Sequence, residues 1–514
     1  MEALFPRIGS EKEPRVYDGL PLLRDDVAGP RSSSRKAHRG PIFAIMILAP
    51  LATVVVLLGW STKSGILAGS STPPVSDDCD PAASGFQCQP EFSHYWGQYS
   101  PYFTVPSDIS TDIPSGCEVT FVQILSRHGA RDPTASKTKT YNDTIKQVQA
   151  KVKSFTGPYA FIANYSYTLG ADQLTTFGQE EMVNSGTKFY NRYRSLAKSL
   201  EPFVRSSSEN RVVESALNWT QGFHAARQAD KSAAVDSGFP YPVILQYEGD
   251  GFNNTLNHAI CAEFENGTDS EIADDAQDAW AKIFVPPIQA RLNAGLPGAN
   301  LSIDQTINMM DLCPFNTVAN DDGTISPFCS LFTESEWHSY AYYQTLGKYY
   351  GFSYGNPLGP TQGVGFVNEL IARLTNTSVQ DHTSTNHTLD ENPATFPLGR
   401  KLYADFSHDN DMTTVFSAMG LYSDTLLLPN TTIVEARAAA GYSAAWTVPF
   451  AARAYIEKMQ CRGHSEELIR VIVNDRVQPL SSCGGDDLGR CTLGKFLGSL
   501  GFAKMGGFWD QCFG

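Results

Sequence analysis

The chain has 514 residues, 42% of them hydrophobic, and a formal net charge of −15 at pH 7. That length and apolar content suffice for a large buried core and leave room for two or three domains. The acidic balance excludes nucleic acid as a partner, because no sustained basic stripe follows residue 40, and a polyanionic ligand must be captured by local cations against the overall field.

Residues 1–41 contain neither cysteine nor asparagine and end in a basic stretch with Arg31, Arg35, Lys36 and Arg39. Residues 42–60 are then uncharged throughout. As a helix they span about 28 Å at about 1.5 Å per residue, close to the hydrocarbon thickness of a bilayer. With the basic flank on the N-terminal side, the positive-inside rule keeps residues 1–41 cytosolic and carries everything after Trp60 across the membrane, the topology of a single-pass type II signal anchor. Pro50 is tolerated in such a helix. The competing reading, a cleaved signal peptide, has a shorter apolar region and a shorter charged leader.

Beyond the span, residues 61–78 are rich in Ser, Thr, Gly and Pro and read as a flexible stem, a place where the folded domain can be cut free. The folded domain takes up residues 79–514. All ten cysteines, Cys79, Cys88, Cys117, Cys261, Cys313, Cys329, Cys461, Cys483, Cys491 and Cys512, lie in it. An even set on one side of a membrane reads as a disulfide framework in an oxidising compartment. The nine Asn-x-Ser/Thr sequons lie there too, at Asn142, Asn164, Asn218, Asn253, Asn266, Asn300, Asn376, Asn386 and Asn430, and predict a glycosylated surface in polar, loop-like contexts.

Within the domain, Val119 to Leu125 predicts a buried strand ending at Ser126-Arg127-His128-Gly129. Pro202 to Arg205 is a short strand-like piece, the N-cap-rich run Ser206 to Asn210 follows, and Val212 to Arg227 predicts a helix with Trp219 and Phe223 four apart. Arg211 thus falls near a helix N-terminus, which favours an anion. Leu402 to Phe406 predicts another strand, ended by Ser407-His408-Asp409-Asn410, before a helix over Met412 to Leu421. In open α/β sheets ligands bind outside the carboxyl ends of the strands, so these segments are expected to converge there.

Together they hold the parts of a phosphoryl-transfer site: a nucleophile, cations for the equatorial oxygens, and an acid for the leaving group. His128 can attack phosphorus through a ring nitrogen. Arg127, Arg131 and Arg211 offer forks that match phosphate oxygens, and His408 offers a further donor. Asp409 can protonate the leaving oxygen; it also suits the N-cap of the following helix, a role that Asn410 or Asp411 can fill instead. Arg205 competes with Arg211 for the third phosphate contact. The scheme calls for no metal and no cofactor, and there is no His-Glu-x-x-His, paired Cys-x-x-Cys, phosphate-binding loop or Gly-x-Ser-x-Gly elbow.

Arg127-His128-Gly129-Ala130-Arg131 followed by Pro133, together with His408-Asp409, resembles the histidine acid phosphatases. The likeness to fungal phytases within that family runs from Cys79 to Phe513 and includes His94 to Tyr99, Met182 to Tyr190, Asn356 to Gly365, Tyr403 to Asn410 and Val471 to Val477. The resemblance implies an α/β fold of the phosphoglycerate mutase-like kind, with a mixed or parallel-type sheet core flanked by helices, a second, mainly helical domain, and the site between them. It implies hydrolysis of phosphate monoesters, inositol hexakisphosphate among them, through a phosphohistidine at His128 with Asp409 as proton donor. It implies a phosphate pocket of Arg127, Arg131, Arg211 and His408, with Arg205 supporting, and a substrate pocket of Gln98, Tyr99, Thr134, Lys137 and Lys348. It also implies the pairs Cys79–Cys88, Cys117–Cys461, Cys261–Cys512, Cys313–Cys329 and Cys483–Cys491. Asp132 stands where phytases often carry Tyr, and Pro158, Ala163 and Gly347 where they often carry Lys. These departures point to a less cationic pocket and to a broad-specificity acid phosphatase as the alternative; a catalytically silent cell-surface glycoprotein and a mutase or phosphotransferase on the same fold are further alternatives. The oligomeric state is not readable from the sequence.

Overall fold

The computed structural model describes residues 85–249 and 251–513. The expected tail, membrane span and stem, and Cys79, lie outside the described residues. Among those described, no helix is long and apolar enough to cross a membrane.

One mixed sheet organises the chain. Its strands are β1 (Cys117–Arg127), β2 (Phe203–Ser207), β3 (Val243–Gln246), β4 (Leu402–Ser407), β5 (Arg453–Cys461), β6 (Leu468–Val473), β7 (Arg476–Val477) and β8 (Arg490–Thr492). They lie in the order β3-β2-β4-β1-β5-β6-β7, with β8 also on β6. The first four run parallel. From β5 onward each pairing is antiparallel. All of β2 and β4 and the last seven residues of β1 are buried, as expected for strands covered on both faces.

Side chains alternate between those faces. Val122, Ile124, Val204, Ala404 and Phe406 pack with Met182, Phe189, Val212, Trp219 and Phe223. These come from α2 (Thr176–Arg192) and α3 (Asn210–Ala229), which follow α1 (Ala135–Lys151) in the chain. The two helices meet backbone to backbone: a Cβ on Gly186 would lie 2.0 Å from the Trp219 carbonyl oxygen, and one on Gly222 1.9 Å from that of Val183. On the other face, Phe121, Leu125, Phe203, Tyr403 and Ile456 share a core with Val285, Met309, Leu346 and Val367. Those belong to α4 (Ile272–Gly295), α5 (Ile303–Val318), α6 (Glu334–Phe352) and α7 (Val364–Thr375), the mainly helical stretch between β3 and β4. The Tyr141 hydroxyl on α1 donates to Asp311 Oδ2 on α5 at 2.6 Å, joining α1 to that layer.

Register brings the carboxyl ends of the parallel strands level: Arg127 faces Ser407, Ser206 faces Phe406, and Ser207 faces Gln246. Disulfides join Cys117 to Cys461, Cys261 to Cys512, Cys313 to Cys329 and Cys483 to Cys491; Cys88 is disulfide-bonded as well. Two sequons lie inside long helices rather than in the expected loops, Asn142 in α1 and Asn218 in α3. Asn218 is buried within α3 and donates Nδ2 to the Glu214 carbonyl, so a glycan has no outlet there.

Candidate active site

β1 leaves the sheet at Arg127, and the backbone beyond it is held from three sides. His128 donates its N–H to the Ser407 carbonyl at 3.1 Å. Gly129 donates to Ser215 Oγ at 3.1 Å and Ala130 to Glu181 Oε2 at 2.8 Å. Gly129 has no space for a side chain: its Cβ would sit 2.2 Å from the Gly178 carbonyl oxygen, and a Cβ on Gly178 2.0 Å from that of Ala130. This glycine pair lets the strand tip rest directly on the first turn of α2, fixing where His128 points.

The His128 ring is 1% exposed. Its Nδ1 lies 2.8 Å from the Gly129 carbonyl oxygen. A carbonyl only accepts, so Nδ1 carries the proton and Nε2 is left with its lone pair. Burial first, then the positive charges of Arg127, Arg211 and Arg131, push the imidazole well below its ordinary range.

The arginines spend part of their donors on the scaffold. Arg127 Nη1 donates to the Gln98 and Val448 carbonyls at 2.5 and 2.9 Å, and the guanidinium lies 4.6 Å from the Phe450 ring centroid. Burial lowers it to about 10, against the pull of Asp409, so it keeps its charge at neutral pH. Arg131 Nη1 donates to the Asp132 carbonyl at 2.8 Å. Arg211, the second residue of α3, pairs through Nη1 with Glu209. The Nε–H groups of all three arginines are buried without a hydrogen-bond partner among the described residues. Buried donors left unsatisfied cost free energy, so an anion accepted here gains that back. Arg205 is separated from this group: it is 1% exposed and ion-paired at 2.7 Å to both Glu369 and Asp405.

The second motif comes from the tip of β4. His408 is the N-cap of α8 (Asp409–Ala418), which starts three residues before the expected Met412. Asp409 is therefore the first helical residue, where the helix dipole favours an anion. Its Oδ2 lies 3.3 Å from Arg127 Nη2 and 2.7 Å from Lys348 Nζ. Burial pushes this carboxyl up, but Arg127 and Lys348 outweigh it and hold Asp409 well below the usual carboxylate range. His408 stacks edge-on to His128, with ring centroids 5.6 Å apart.

Lys348, from α6, is buried and also donates to Asn410 Oδ1 at 2.5 Å. It lines a cavity of about 460 Å³ with Gln98, Tyr99, Lys137, Asp274 and Gln277. Lys137 is exposed there, whereas Thr134 is the N-cap residue of α1 and lies outside the cavity lining. Gly347 faces Gln277, whose Nε2 would be 2.7 Å from an added Cβ. Pro158 and Ala163 are exposed on a 3-10 segment, Gly157–Asn164, away from it. The Asp132 carboxylate accepts the Gly170 N–H at 3.0 Å, while Arg131 takes its backbone carbonyl.

Negative charge reaches the pocket elsewhere. Glu209 sits on Arg211, and His408 Nε2 lies 3.2 Å from Glu248 Oε1 and 3.7 Å from Glu209 Oε2. Sequence reasoning missed both. Glu209 had a signal, a lone acid two residues before Arg211 inside a Ser/Asn run; Glu248, beyond the end of β3, had none. Glu209, Glu248 and His408 offer three ligand atoms within 4.8 Å of one another. The Arg211 guanidinium bonded to Glu209 sets a fixed positive charge against any cation there.

A histidine with a free Nε2, ringed by arginines with donors to spare and faced by a carboxyl group, is equipment for phosphoryl transfer. The chain belongs to the histidine phosphatase superfamily, branch 2, whose family model matches residues 118–474, and is a phosphoric monoester hydrolase. It is 53% identical to Phytase A of Emericella nidulans over 450 residues, 86% of this chain and 96% of that protein. It is 48% identical to Phytase A of Aspergillus fumigatus over 454 residues, 88% and 97% of the two. Its fold is similar to the crystal structure of the phytase from D. castellii, with a TM-score of 0.67, 24% identity, and 82% and 87% of the two chains covered.

Proposed function

We propose that the chain hydrolyses inositol hexakisphosphate and related phosphate monoesters through a covalent phosphohistidine. Nε2 of His128 attacks phosphorus in line while the P–O bond to the leaving alcohol breaks, and Asp409 gives that oxygen its proton. Water then attacks the phosphohistidine, Asp409 takes a proton from it, and phosphate leaves with His128 restored. Arg127, Arg131, Arg211 and His408 bind the equatorial oxygens. Cations hold Asp409 ionised in the free site; a phosphate bound among the same cations offsets them and lets the carboxyl carry a proton. The leaving alcohol, with its remaining phosphates, takes the cavity beside Lys348 and Lys137. The observation that carries this reading is the set of unspent Nε–H donors around His128. Phosphate release from inositol hexakisphosphate by the glycosylated protein tests it: His128→Ala should lose at least about a thousandfold in kcat, and equal activity in variant and parent overturns the mechanism.

We also infer that residues 42–60 anchor the enzyme, with residues 79–514 lumenal or extracellular. The placement of every cysteine after that segment, and the disulfides among them, support an oxidising compartment.

A further inference from the structure

Glu209 stands where a phosphate would bind. One carboxylate oxygen is paired with Arg211 Nη1, and the other lies 3.7 Å from His408 Nε2. Both donors belong to the proposed phosphate pocket, so the side chain spans two of its positions with a bidentate anion of its own. Glu248 differs in kind. Its Oε1 lies 3.2 Å from His408 Nε2, nearer than Glu209 does, but the same oxygen accepts the Glu209 N–H at 3.1 Å and its own N–H donates to Ser208 Oγ at 3.0 Å, which ties it into the loop and away from Arg211. Glu209 is held by its backbone instead: its carbonyl accepts from Val212 and Val213, and as N-cap of α3 it makes no side-chain cap bond. Its carboxylate is 37% exposed and has a path out to solvent. Asp172, whose Oδ1 lies 4.0 Å from Arg211 Nη1, adds a second negative charge on the same guanidinium.

We propose that Glu209 is a built-in carboxylate competitor for phosphate at Arg211 that sets the pocket's affinity for phosphoryl groups and for the product. This rests on the reading of Arg211 as a phosphate ligand. An incoming phosphate either displaces the Glu209 carboxylate or binds beside it, and each route costs affinity. The cost falls equally on product phosphate, which makes the enzyme resistant to inhibition by the phosphate it releases.

The test is the competitive inhibition constant of inorganic phosphate, measured on the full chain with an aryl phosphate as substrate. Glu209→Ser places a favoured N-cap residue on α3, and Glu209→Gln keeps the size while removing the charge. In Glu209→Ser the constant should fall about tenfold, a change of about 1.4 kcal/mol, with a smaller fall in Glu209→Gln and a parallel fall in KM. A damaged fold loses affinity for phosphate, so a gain is not a folding artefact. Arg211→Ala should raise the constant. If it does while both Glu209 variants match or exceed the parent value, the competitor role is wrong and the pocket stands. If Arg211→Ala leaves the constant unchanged, the pocket assignment falls and the competitor role with it.

Discussion

Asp409 is held by two cations, and their balance decides the pH at which it can hand over a proton. Burial pushes the carboxyl up, Arg127 and then Lys348 pull it further down, and the outcome lies well below the usual range. A depressed value means that the protonated, donating form is scarce above acid pH. Removing the Lys348 ammonium, 2.7 Å away, must raise it. Lys348→Met is therefore expected to move the alkaline limb of the kcat–pH profile upward while KM rises through the lost cation. A limb that stays in place or moves down would show that Asp409 is not the group titrating. His128 sets no acid limit of the ordinary kind, because burial and then three arginines keep it well below the normal histidine range. Its lone pair survives at pH values where a solvent-exposed histidine is already protonated.

At the level of elements, the buried charge network between β2, β4 and α7 shows that one arginine near the site is already paired with carboxylates. Arg205 and Arg373 enclose Asp405, Arg205 also pairs with Glu369, and Gln123 Nε2 adds a bond to Asp405 Oδ2 at 2.8 Å. Asp390, on the short helix His387–Asp390, places its carboxyl beside Glu369; burial first, then the Glu369 charge, against Arg205, pushes it up to about 8. The folded value exceeds the unfolded one of about 3.9, so Asp390 costs stability progressively as pH rises through that window and fully above it. Asp390→Asn keeps a donor toward Glu369 and cannot ionise. Its gain in unfolding free energy over the parent, followed by thermal melts, should grow from pH 4 to pH 8, reaching roughly 1–3 kcal/mol, and a gain that is flat with pH would refute the raised carboxyl. The same elements show what sequence could and could not give. Apolar runs made the cores of β1, β2 and β4 legible, but not their ends, since Arg127, Ser207 and Ser407 are strand residues fixed by pairing across the sheet rather than by apolar character. The start of α8 was misjudged by three residues because the motif itself supplies its first turn. Composition left Arg205 and Arg211 as rivals; the partners that separate them, Glu369 and Asp405, come from segments more than 150 residues away.

For the whole molecule, the disulfides constrain how the chain must be made. Cys117–Cys461 joins residues 344 apart in sequence that face each other at one end of the β1–β5 pair, and Cys261–Cys512 ties the C-terminus across a separation of 251. Cross-links over loops this long restrict the unfolded chain by on the order of 5 kcal/mol each in the chain-entropy account. A cytosolic location would forfeit them, which favours the proposed crossing of a membrane before the domain matures. The N-terminal 60 residues then decide whether it stays attached. A retained anchor predicts that phosphatase activity from cells making the full chain sediments with membranes and resists alkaline carbonate extraction. Protease added outside sealed vesicles should trim the N-terminal tail and spare the disulfide-bonded domain, because the proposed topology puts the tail in the cytosol and the domain in the lumen. Activity found wholly in the soluble lumenal fraction, on chains beginning just after residue 60, would replace the anchor with a cleaved leader. Chains beginning within residues 61–78, alongside a membrane-bound pool, would instead mark cutting in the stem after anchoring.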